Sequence, residues 1–127
     1  MTIAEVCKEF NISADTLRYY EKVGLLPAIG RTSGGIRNYT EYDCGWVEFI
    51  KCMRSAGVQV ESLVEYVCLF EKGEAAETRK QILETERTRL GEKIAKLQTA
   101  YDRLNMKIER YEKDIIPAER ELMRTAN

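Results

Sequence analysis

The sequence contains no histidine, few prolines and no Cys-x-x-Cys pair. Structural zinc sites usually need closely paired thiolate or imidazole ligands, so these absences argue against a metal centre. The chain also lacks a glycine-rich phosphate loop and a general base placed beside a cysteine, which argues against an enzyme. We therefore expect neither catalytic activity nor a metal or other cofactor.

The apolar runs are too short to cross a membrane, and no basic-then-apolar signal segment precedes them. We expect a cytoplasmic protein whose four cysteines are free thiols rather than disulfides. The net charge is −1, so the chain also lacks the overall basic excess of many nucleic-acid-binding proteins. A prediction of DNA binding must therefore depend on geometry and motifs.

The start of the chain has the pattern of two short helices joined by a tight turn. Thr2 with Glu5 predicts a capping box that opens a helix over about residues 3–9. Ser13 predicts the start of a second helix that reaches about Lys22. Such a pair forms a helix-turn-helix, although a helical hairpin without a DNA-binding role has the same pattern.

Residues 24–40 interrupt the helical periodicity with several glycines. Gly34 and Gly35 predict the tip of a small β-hairpin with short strands on either side. Arg37 and Tyr39 alternate after this tip, so both side chains are expected on the same face of the hairpin. Arg37 is then a candidate for a phosphate or minor-groove contact.

Two further helices are predicted after the hairpin. The first begins at Thr40, which forms a capping-box pattern with Asp43, and extends to about Ala56. The second runs over about residues 60–71. Helices around a small hairpin are typical of a mainly α, winged helix-turn-helix domain, which we assign to residues 1–72.

Residues 73–116 have the heptad pattern of a coiled-coil dimerisation helix. Its apolar side chains recur at alternating steps of four and three residues: Leu90, Ile94, Leu97, Tyr101, Leu104, Ile108, Tyr111 and Ile115. The chain's own small domain cannot bury this narrow apolar stripe on an otherwise charged helix, so we expect the helix to need a partner. We call these eight side chains the dimer seam. Extended backward, the heptad places Arg87 at an a position, so the amino end of the helix is expected to contribute less to the seam. Pro117 is expected to end the helix, which leaves residues 117–127 as a short tail.

The second helix contains side chains suited to DNA, in the run TLRYYEK. Recognition helices of a dimer meet successive major grooves about 34 Å apart. Arg18 is able to pair with guanine or phosphate, and Tyr19 and Tyr20 are able to contact phosphates or sugars. Adjacent helical tyrosines cannot both point into the core, where we expect Leu17, so packing explains at most one of them.

The segments IAEVCKEFNISADTLRYYEKVGLL, GIRNYTEYD and IKCMRSAGV together resemble the MerR family of transcription regulators. The resemblance covers nearly the whole chain, and TLRYYEKVGLL is a highly specific part of it. It implies winged-helix domains that bind a palindromic operator in promoter double-stranded DNA, and a homodimer joined by an antiparallel coiled coil. It also implies activation by bending and untwisting the promoter, which affects RNA polymerase indirectly.

Carried over by motif, the resemblance implies DNA contacts by Thr16, Arg18, Tyr19, Tyr20, Arg37, Tyr39 and Arg54. Metal-sensing members have cysteines at the start of the dimer helix and in the loop after it, whereas this chain has none after Cys68. Multidrug-type members carry a large carboxy-terminal ligand domain, and little sequence follows Pro117 here. The run WVEFIKCMRSAG instead resembles a short subgroup associated with aldehyde, other electrophile or nitrosative stress, whose sensing residue corresponds to Cys52.

Taken from the residues alone, Cys52 is a boundary position on its helix. Lys51 and Arg54 adjoin it in sequence, but helical neighbours are three or four residues away, and one of these is Glu48. A carboxylate there disfavours the reactive thiolate. Cys52 lies about 100° from the centre of the apolar stripe, where a small electrophile could reach it.

Cys44 is the rival sensor thiol. It lies about one turn into its helix, where the amino-terminal dipole favours a thiolate, although Glu41 and Asp43 oppose this effect. Cys7 lies on the apolar face of the first helix and is expected in the core.

Two other functions remain open at this stage. The same DNA-binding dimer could respond to a small organic effector held without a covalent bond. A protein of a different class, a coiled-coil adaptor, could instead use its helix-turn-helix to bind protein. Salt-dependent binding to a palindromic promoter fragment separates the adaptor from the regulators, because phosphate contacts make affinity fall with salt.

Overall fold

The computed structural model describes residues 1–73 and 75–126, and most of these are helical. The helices are α1 (Ile3–Phe10), α2 (Ala14–Val23), α3 (Glu41–Ser55), α4 (Val60–Glu71), α5 (Ala76–Arg110) and α6 (Ile116–Ala126). A first compact unit comprises Met1–Arg87, and a second begins at Thr88. The mainly α fold class predicted from the sequence is confirmed.

The helix-turn-helix forms through the predicted caps. The Glu5 N–H donates to Thr2 Oγ1 at 3.2 Å, and the Thr2 N–H donates to Glu5 Oε1 at 3.1 Å. The bond from the Thr2 backbone lowers the pKa of Glu5 below its usual value. Between the helices, Asn11 takes a left-handed conformation with φ of 51°. Ser13 Oγ then accepts from the Thr16 N–H at 3.1 Å and opens α2.

The core of the first unit is formed by apolar side chains from α1 to α4 and from the segments between them. Its buried members are Val6, Leu17, Tyr20, Leu25, Leu26, Ile29, Tyr39, Val47, Ile50, Val58 and Leu63. Leu17 has no exposed surface, as the sequence predicted for the core residue of α2. Cys7 packs against this core, also as predicted.

The predicted hairpin is present but minimal. Arg31 and Arg37 form an isolated antiparallel bridge, and the Thr32 N–H donates to the Ile36 carbonyl at 2.8 Å. Gly35 takes a positive φ of 80°, which glycine adopts without strain. The short strands expected on either side are reduced to this bridge, because a two-stranded ribbon of so few residues has little stability of its own.

The helices after the hairpin begin and end close to the predicted positions. The Asp43 N–H donates to Thr40 Oγ1 at 3.2 Å and the Thr40 N–H to Asp43 Oδ2 at 2.9 Å, which forms the predicted capping box of α3. This helix ends at Ser55, one residue before the predicted Ala56. Gly57 follows with a φ of 83°.

An aromatic cluster joins α3 to α4. The Trp46 ring centroid lies 5.1 Å from that of Phe70, 5.9 Å from that of Tyr66 and 6.2 Å from that of Phe49. From the start of α5, Arg79 places its Cζ 5.1 Å from the Phe70 ring centroid in a cation–π contact. Aromatic and cationic contacts therefore hold the first turns of α5 against α4.

A buried polar contact extends this packing along α5. Ser62 Oγ donates to Glu86 Oε1 at 2.6 Å, and Glu86 is only 8% exposed. The first compact unit therefore continues to Arg87, beyond the boundary predicted at residue 72. Glu74, near the start of the predicted dimerisation segment, lies outside the described residues.

The prediction that Pro117 ends the helix is wrong. Residues Tyr111–Ile115 form a π-helical turn, in which the Ile116 N–H donates to the Tyr111 carbonyl, and α6 follows directly and includes Pro117. Proline lacks an N–H and crowds the carbonyl four residues earlier, and the wider turn accommodates both effects. The predicted tail is therefore helical to Ala126, and Asn127 lies outside the described residues.

Candidate nucleic-acid interface

The outer face of α2 presents Arg18 and Tyr19. Tyr19 is 48% exposed, and Arg18 Nη1 donates to Asp15 Oδ1 at 3.1 Å. Exposed ion pairs of this kind contribute little stability, so the guanidinium remains available to a phosphate or a base edge. Thr16 lies at the amino-terminal end of the same helix, with its Oγ1 2.7 Å from Ser13 Oγ. Helix amino termini attract phosphates, so these groups form a candidate contact surface for DNA.

Tyr20 and Tyr39, also predicted to contact DNA, are placed in the core. Tyr20 is 6% exposed and Tyr39 is 1% exposed. Burial raises the pKa of both hydroxyls, and the positive charge of Arg54 partly offsets this for Tyr20. As expected for adjacent helical positions, Tyr20 packs inside while Tyr19 faces outward. Their placement favours packing roles for Tyr20 and Tyr39 over direct contacts with DNA.

The two remaining arginines on the predicted contact surface are held by oxygen acceptors. Arg37 Nε donates to Glu21 Oε2 at 2.8 Å, which links the hairpin to α2. Arg54 Nη1 donates to the Val58 carbonyl at 2.6 Å while the residue stays exposed. The sequence analysis missed Glu21, because helical periodicity gives no sign of a partner in a hairpin further along the chain.

Replacing Tyr39 with phenylalanine should leave stability unchanged or raise it by up to about 1 kcal/mol. The Tyr39 hydroxyl is buried and has no hydrogen-bond partner among the described residues. An unpaired buried hydroxyl costs roughly 1–3 kcal/mol, part of which the substitution recovers. Urea denaturation at fixed protein concentration measures the change.

The same variant has a pH signature. The folded-state pKa of Tyr39 is raised, so its ionisation does not affect the free energy of unfolding below the ordinary tyrosine pKa near 10 and lowers it as pH rises above that value. The phenylalanine variant should lose part of this alkaline sensitivity. A fall in stability near neutral pH would show that the hydroxyl has a partner, and a loss of DNA affinity would support the contact predicted from the sequence.

Cys52 is exposed, and its basic sequence neighbours are engaged elsewhere. Lys51 Nζ donates to the Phe10 carbonyl at the end of α1, and Arg54 donates to the Val58 carbonyl. Neither cation is directed to the thiol by these bonds. The structure therefore places Cys52 within reach of small molecules in solution.

Cys44 has a different environment. Its Sγ lies 3.8 Å from Met1 Sδ, and the side chain is half-buried. Burial raises the pKa of the Cys44 thiol, and the carboxylate of Glu9 raises it further. Both effects oppose that of the amino-terminal dipole of α3 and disfavour the reactive thiolate at this position.

An open cavity of about 360 Å³ lies beside the aromatic cluster. It is lined by Glu41, Tyr42, Gly45, Trp46, Phe49 and Tyr66. Within residues 1–73 and 75–126, no group of three or more Cys, Asp or Glu side chains is arranged to hold a metal ion.

The predicted dimer seam is largely uncovered in the single chain. The exposed fraction is 58% for Ile94, 70% for Leu97, 61% for Tyr101, 63% for Leu104 and 54% for Ile108. Apolar side chains repeating at heptad spacing and left this exposed need a partner surface. No helix in the described part of the chain has the length and apolar character to span a membrane.

Comparison with known proteins assigns the family. Residues 1–67 match the sequence profile described as MerR HTH family regulatory protein. Over 91 residues the chain is 55% identical to the HTH-type transcriptional regulator AdhR of Bacillus subtilis, a match that spans 71% of this chain and 65% of AdhR. The chain belongs to the MerR family. MerR proteins are DNA-binding transcription regulators rather than enzymes, as the sequence predicted.

Solved MerR structures agree with the observed fold. A MerR family transcriptional regulator from Listeria monocytogenes is 39% identical and superposes with a TM-score of 0.94, covering 99% of this chain and 96% of its own. HiNmlR, a MerR family regulator that lacks the sensor domain and was solved bound to promoter DNA, is 31% identical with a TM-score of 0.79. That match covers 88% of this chain and 90% of HiNmlR.

Proposed function

We propose that this MerR protein is a homodimeric regulator that binds a palindromic operator in promoter DNA. The observation that carries the proposal is the division of α2, which buries Leu17 and Tyr20 while it presents Arg18 and Tyr19 to solvent. A helix divided in this way fits the major groove, and the hairpin with Arg37 would then follow the adjacent backbone. The complex of HiNmlR with promoter DNA supports this assignment.

The exposed heptad seam supports the homodimer. Pairing two copies of residues 90–115, in α5 and the π-helical turn after it, buries apolar side chains most of which a single chain leaves in water. An antiparallel pair would put one DNA-binding unit at each end of the coiled coil, as a palindrome requires. Activation would follow from distortion of the promoter between the half-sites, through which RNA polymerase is affected indirectly.

We assign the effector response to Cys52. Its thiol is exposed, and addition to an aldehyde carbonyl would form a carbon–sulfur bond and a hydroxyl group without a leaving group. Cys52 and Arg54 lie on the same helix but two residues apart, so their side chains point to different sides, and an adduct would affect the predicted DNA surface by shifting α3 rather than by direct contact. Cys44, half-buried beside Met1 and with a raised pKa, is the weaker candidate.

Replacing Cys52 with serine should preserve operator binding and abolish induction by electrophiles. The probe is a duplex enriched by the wild-type dimer from a randomised double-stranded library, placed within a promoter for transcription with and without an aldehyde. Cys44→Ser is the matched control, because it removes a thiol from the same helix and should retain full induction. Mass spectrometry of the treated protein identifies the modified residue.

Full induction in the Cys52→Ser variant would remove this thiol from the mechanism. A second candidate function would then gain support, namely a non-covalent organic effector. The cavity beside Trp46 favours it, because aromatic walls suit an apolar ligand. Induction that survives replacement of every cysteine but is lost in Trp46→Ala would identify a non-covalent effector bound in this cavity.

A further inference from the structure

The ion pair between Arg37 and Glu21 differs from the pair within α2. Its side chains are 27% and 24% exposed, compared with 51% and 96% for Arg18 and Asp15. It also joins two elements, the hairpin and α2, rather than neighbouring turns of one helix. A partly buried pair of this kind is screened less by water and salt than an exposed one.

The geometry of the pair leaves most of the guanidinium free. Glu21 Oε2 accepts from Nε, and the described residues accept no second hydrogen bond from Arg37. The terminal amino groups, Nη1 and Nη2, therefore keep their N–H donors. These are the donors that arginine uses in two-point recognition of a phosphate.

The Glu21 carboxylate is also close enough to Tyr39 to influence it. After burial, the negative charge of Glu21 is the next cause that raises the pKa of the Tyr39 hydroxyl, and Arg37 acts in the opposite direction. Without the guanidinium, Glu21 would leave a partly buried negative charge beside this hydroxyl. The carboxylate and the guanidinium therefore stabilise each other's positions.

We propose that Glu21 is a positioning residue for DNA binding, which holds Arg37 by its Nε edge and presents Nη1 and Nη2 to a phosphate. This inference rests on the proposed DNA-binding function. The hairpin has a single bridge, so without this hold Arg37 and the hairpin would have to be ordered during binding. Such ordering opposes association, and holding the side chain beforehand reduces that cost.

The Glu21 carboxylate also disfavours DNA binding, because its negative charge lies near the phosphate that Arg37 would bind. Two conservative substitutions separate the effects. Glu21→Gln keeps the side-chain length and an oxygen acceptor for Nε but removes the charge. Glu21→Asp keeps the charge but withdraws the carboxylate by one methylene group, which breaks the contact observed at 2.8 Å.

Affinity for the enriched duplex should be measured over a series of salt concentrations. We expect Glu21→Gln to stay within about threefold of wild type, and Glu21→Asp and Glu21→Ala to weaken binding by about tenfold, near the loss in Arg37→Ala. The slope of log affinity against log salt should become shallower by about 1.8 in Arg37→Ala, as for two lost phosphate contacts, one from each subunit, and by a similar amount in Glu21→Ala. The double variant Glu21→Ala/Arg37→Ala should be no weaker than Arg37→Ala.

Asp15→Asn is the matched control, because it removes one negative charge from the exposed pair on the same helix. It should leave the salt slope unchanged. Tighter binding by Glu21→Gln together with unchanged binding by Glu21→Asp would overturn the proposal, since Glu21 would then only neutralise Arg37. Additive losses in the double variant would overturn it too. Absence of salt-dependent binding by the wild-type protein would instead contradict the proposed function.

Discussion

Replacing Leu104 with glutamate should convert the protein to a monomer and abolish its binding to the palindromic operator. Leu104 and Tyr101 are the central positions of the seam that runs from Leu90 to Ile115. In an antiparallel pair the central positions of both copies meet near the two-fold axis. The substitution therefore introduces two carboxylates into one small region of the interface.

The expected effect is large because two terms add. Burying a leucine side chain is worth roughly 1.5–3 kcal/mol, and the dimer loses this contribution twice. Burying unpaired carboxylates, or leaving the seam partly open to hydrate them, adds a further penalty. The dimer should lose at least about 4 kcal/mol, which is roughly a thousandfold in its dissociation constant. Analytical ultracentrifugation across a concentration series measures this change.

Met106→Glu is the matched control for this prediction. Met106 is 69% exposed in the single chain and Leu104 is 63% exposed, so accessibility does not distinguish them. Met106 lies on the opposite side of the helix from the seam, two residues further along. We expect this variant to remain dimeric and to bind the duplex. A dimeric Leu104→Glu protein, or a monomeric Met106→Glu protein, would contradict the heptad assignment.

Local features of the fold could be predicted from the sequence because their causes are local. The capping boxes at Thr2 and Thr40 join residues three positions apart, so the pattern contains both partners. The end of α2 at Gly24 follows from the left-handed backbone that glycine adopts, with φ of 86°. Arg87 at an a position predicted that the start of α5 takes less part in the dimer seam. In the structure the neighbouring Glu86 accepts a hydrogen bond from Ser62 of α4, so this part of α5 packs within the first unit.

The sequence could not establish which tyrosines pack and which face solvent. Adjacent positions require Tyr19 and Tyr20 to diverge, but the choice depends on how α2 docks on the rest of the core. Alternation placed Arg37 and Tyr39 on one face of the hairpin, yet Tyr39 is buried and Arg37 is partly exposed. A single bridge imposes too little regular strand geometry for the alternation to decide exposure.

Other features were missed because they depend on how elements pack or on irregular backbone geometry, neither of which a periodic pattern contains. Glu21 pairs with Arg37 only because the hairpin folds against α2, which no periodic pattern reports. Pro117 was assigned its usual role as a helix terminator, and the π-helical turn before it changes the outcome. The aromatic cluster around Trp46 likewise depends on how α3 and α4 cross.

Replacing Leu17 with alanine should destabilise the first unit by about 2–5 kcal/mol. Leu17 is fully buried and belongs to the core cluster that α2 forms with Val6 of α1 and with Val47 and Ile50 of α3. Truncation removes three carbon atoms, the Cγ methine and the two methyl groups, and leaves a cavity that rigid helices cannot fill completely. A unit of this size should then melt about 10 °C lower or more, which thermal denaturation at fixed protein concentration measures.

Tyr19→Ala, two residues away on the same helix, should have the opposite effects, with little loss of stability and a loss of operator affinity. Tyr19 is 48% exposed, so its removal should change stability by less than about 1 kcal/mol. If α2 is the recognition helix, the same change weakens operator binding, because the ring and hydroxyl face the DNA. Leu17→Ala assayed well below its melting temperature should bind with near wild-type affinity, since its side chain never reaches the groove. Equal losses of stability and affinity in both variants would contradict the division of α2 into a packing face and a DNA-binding face.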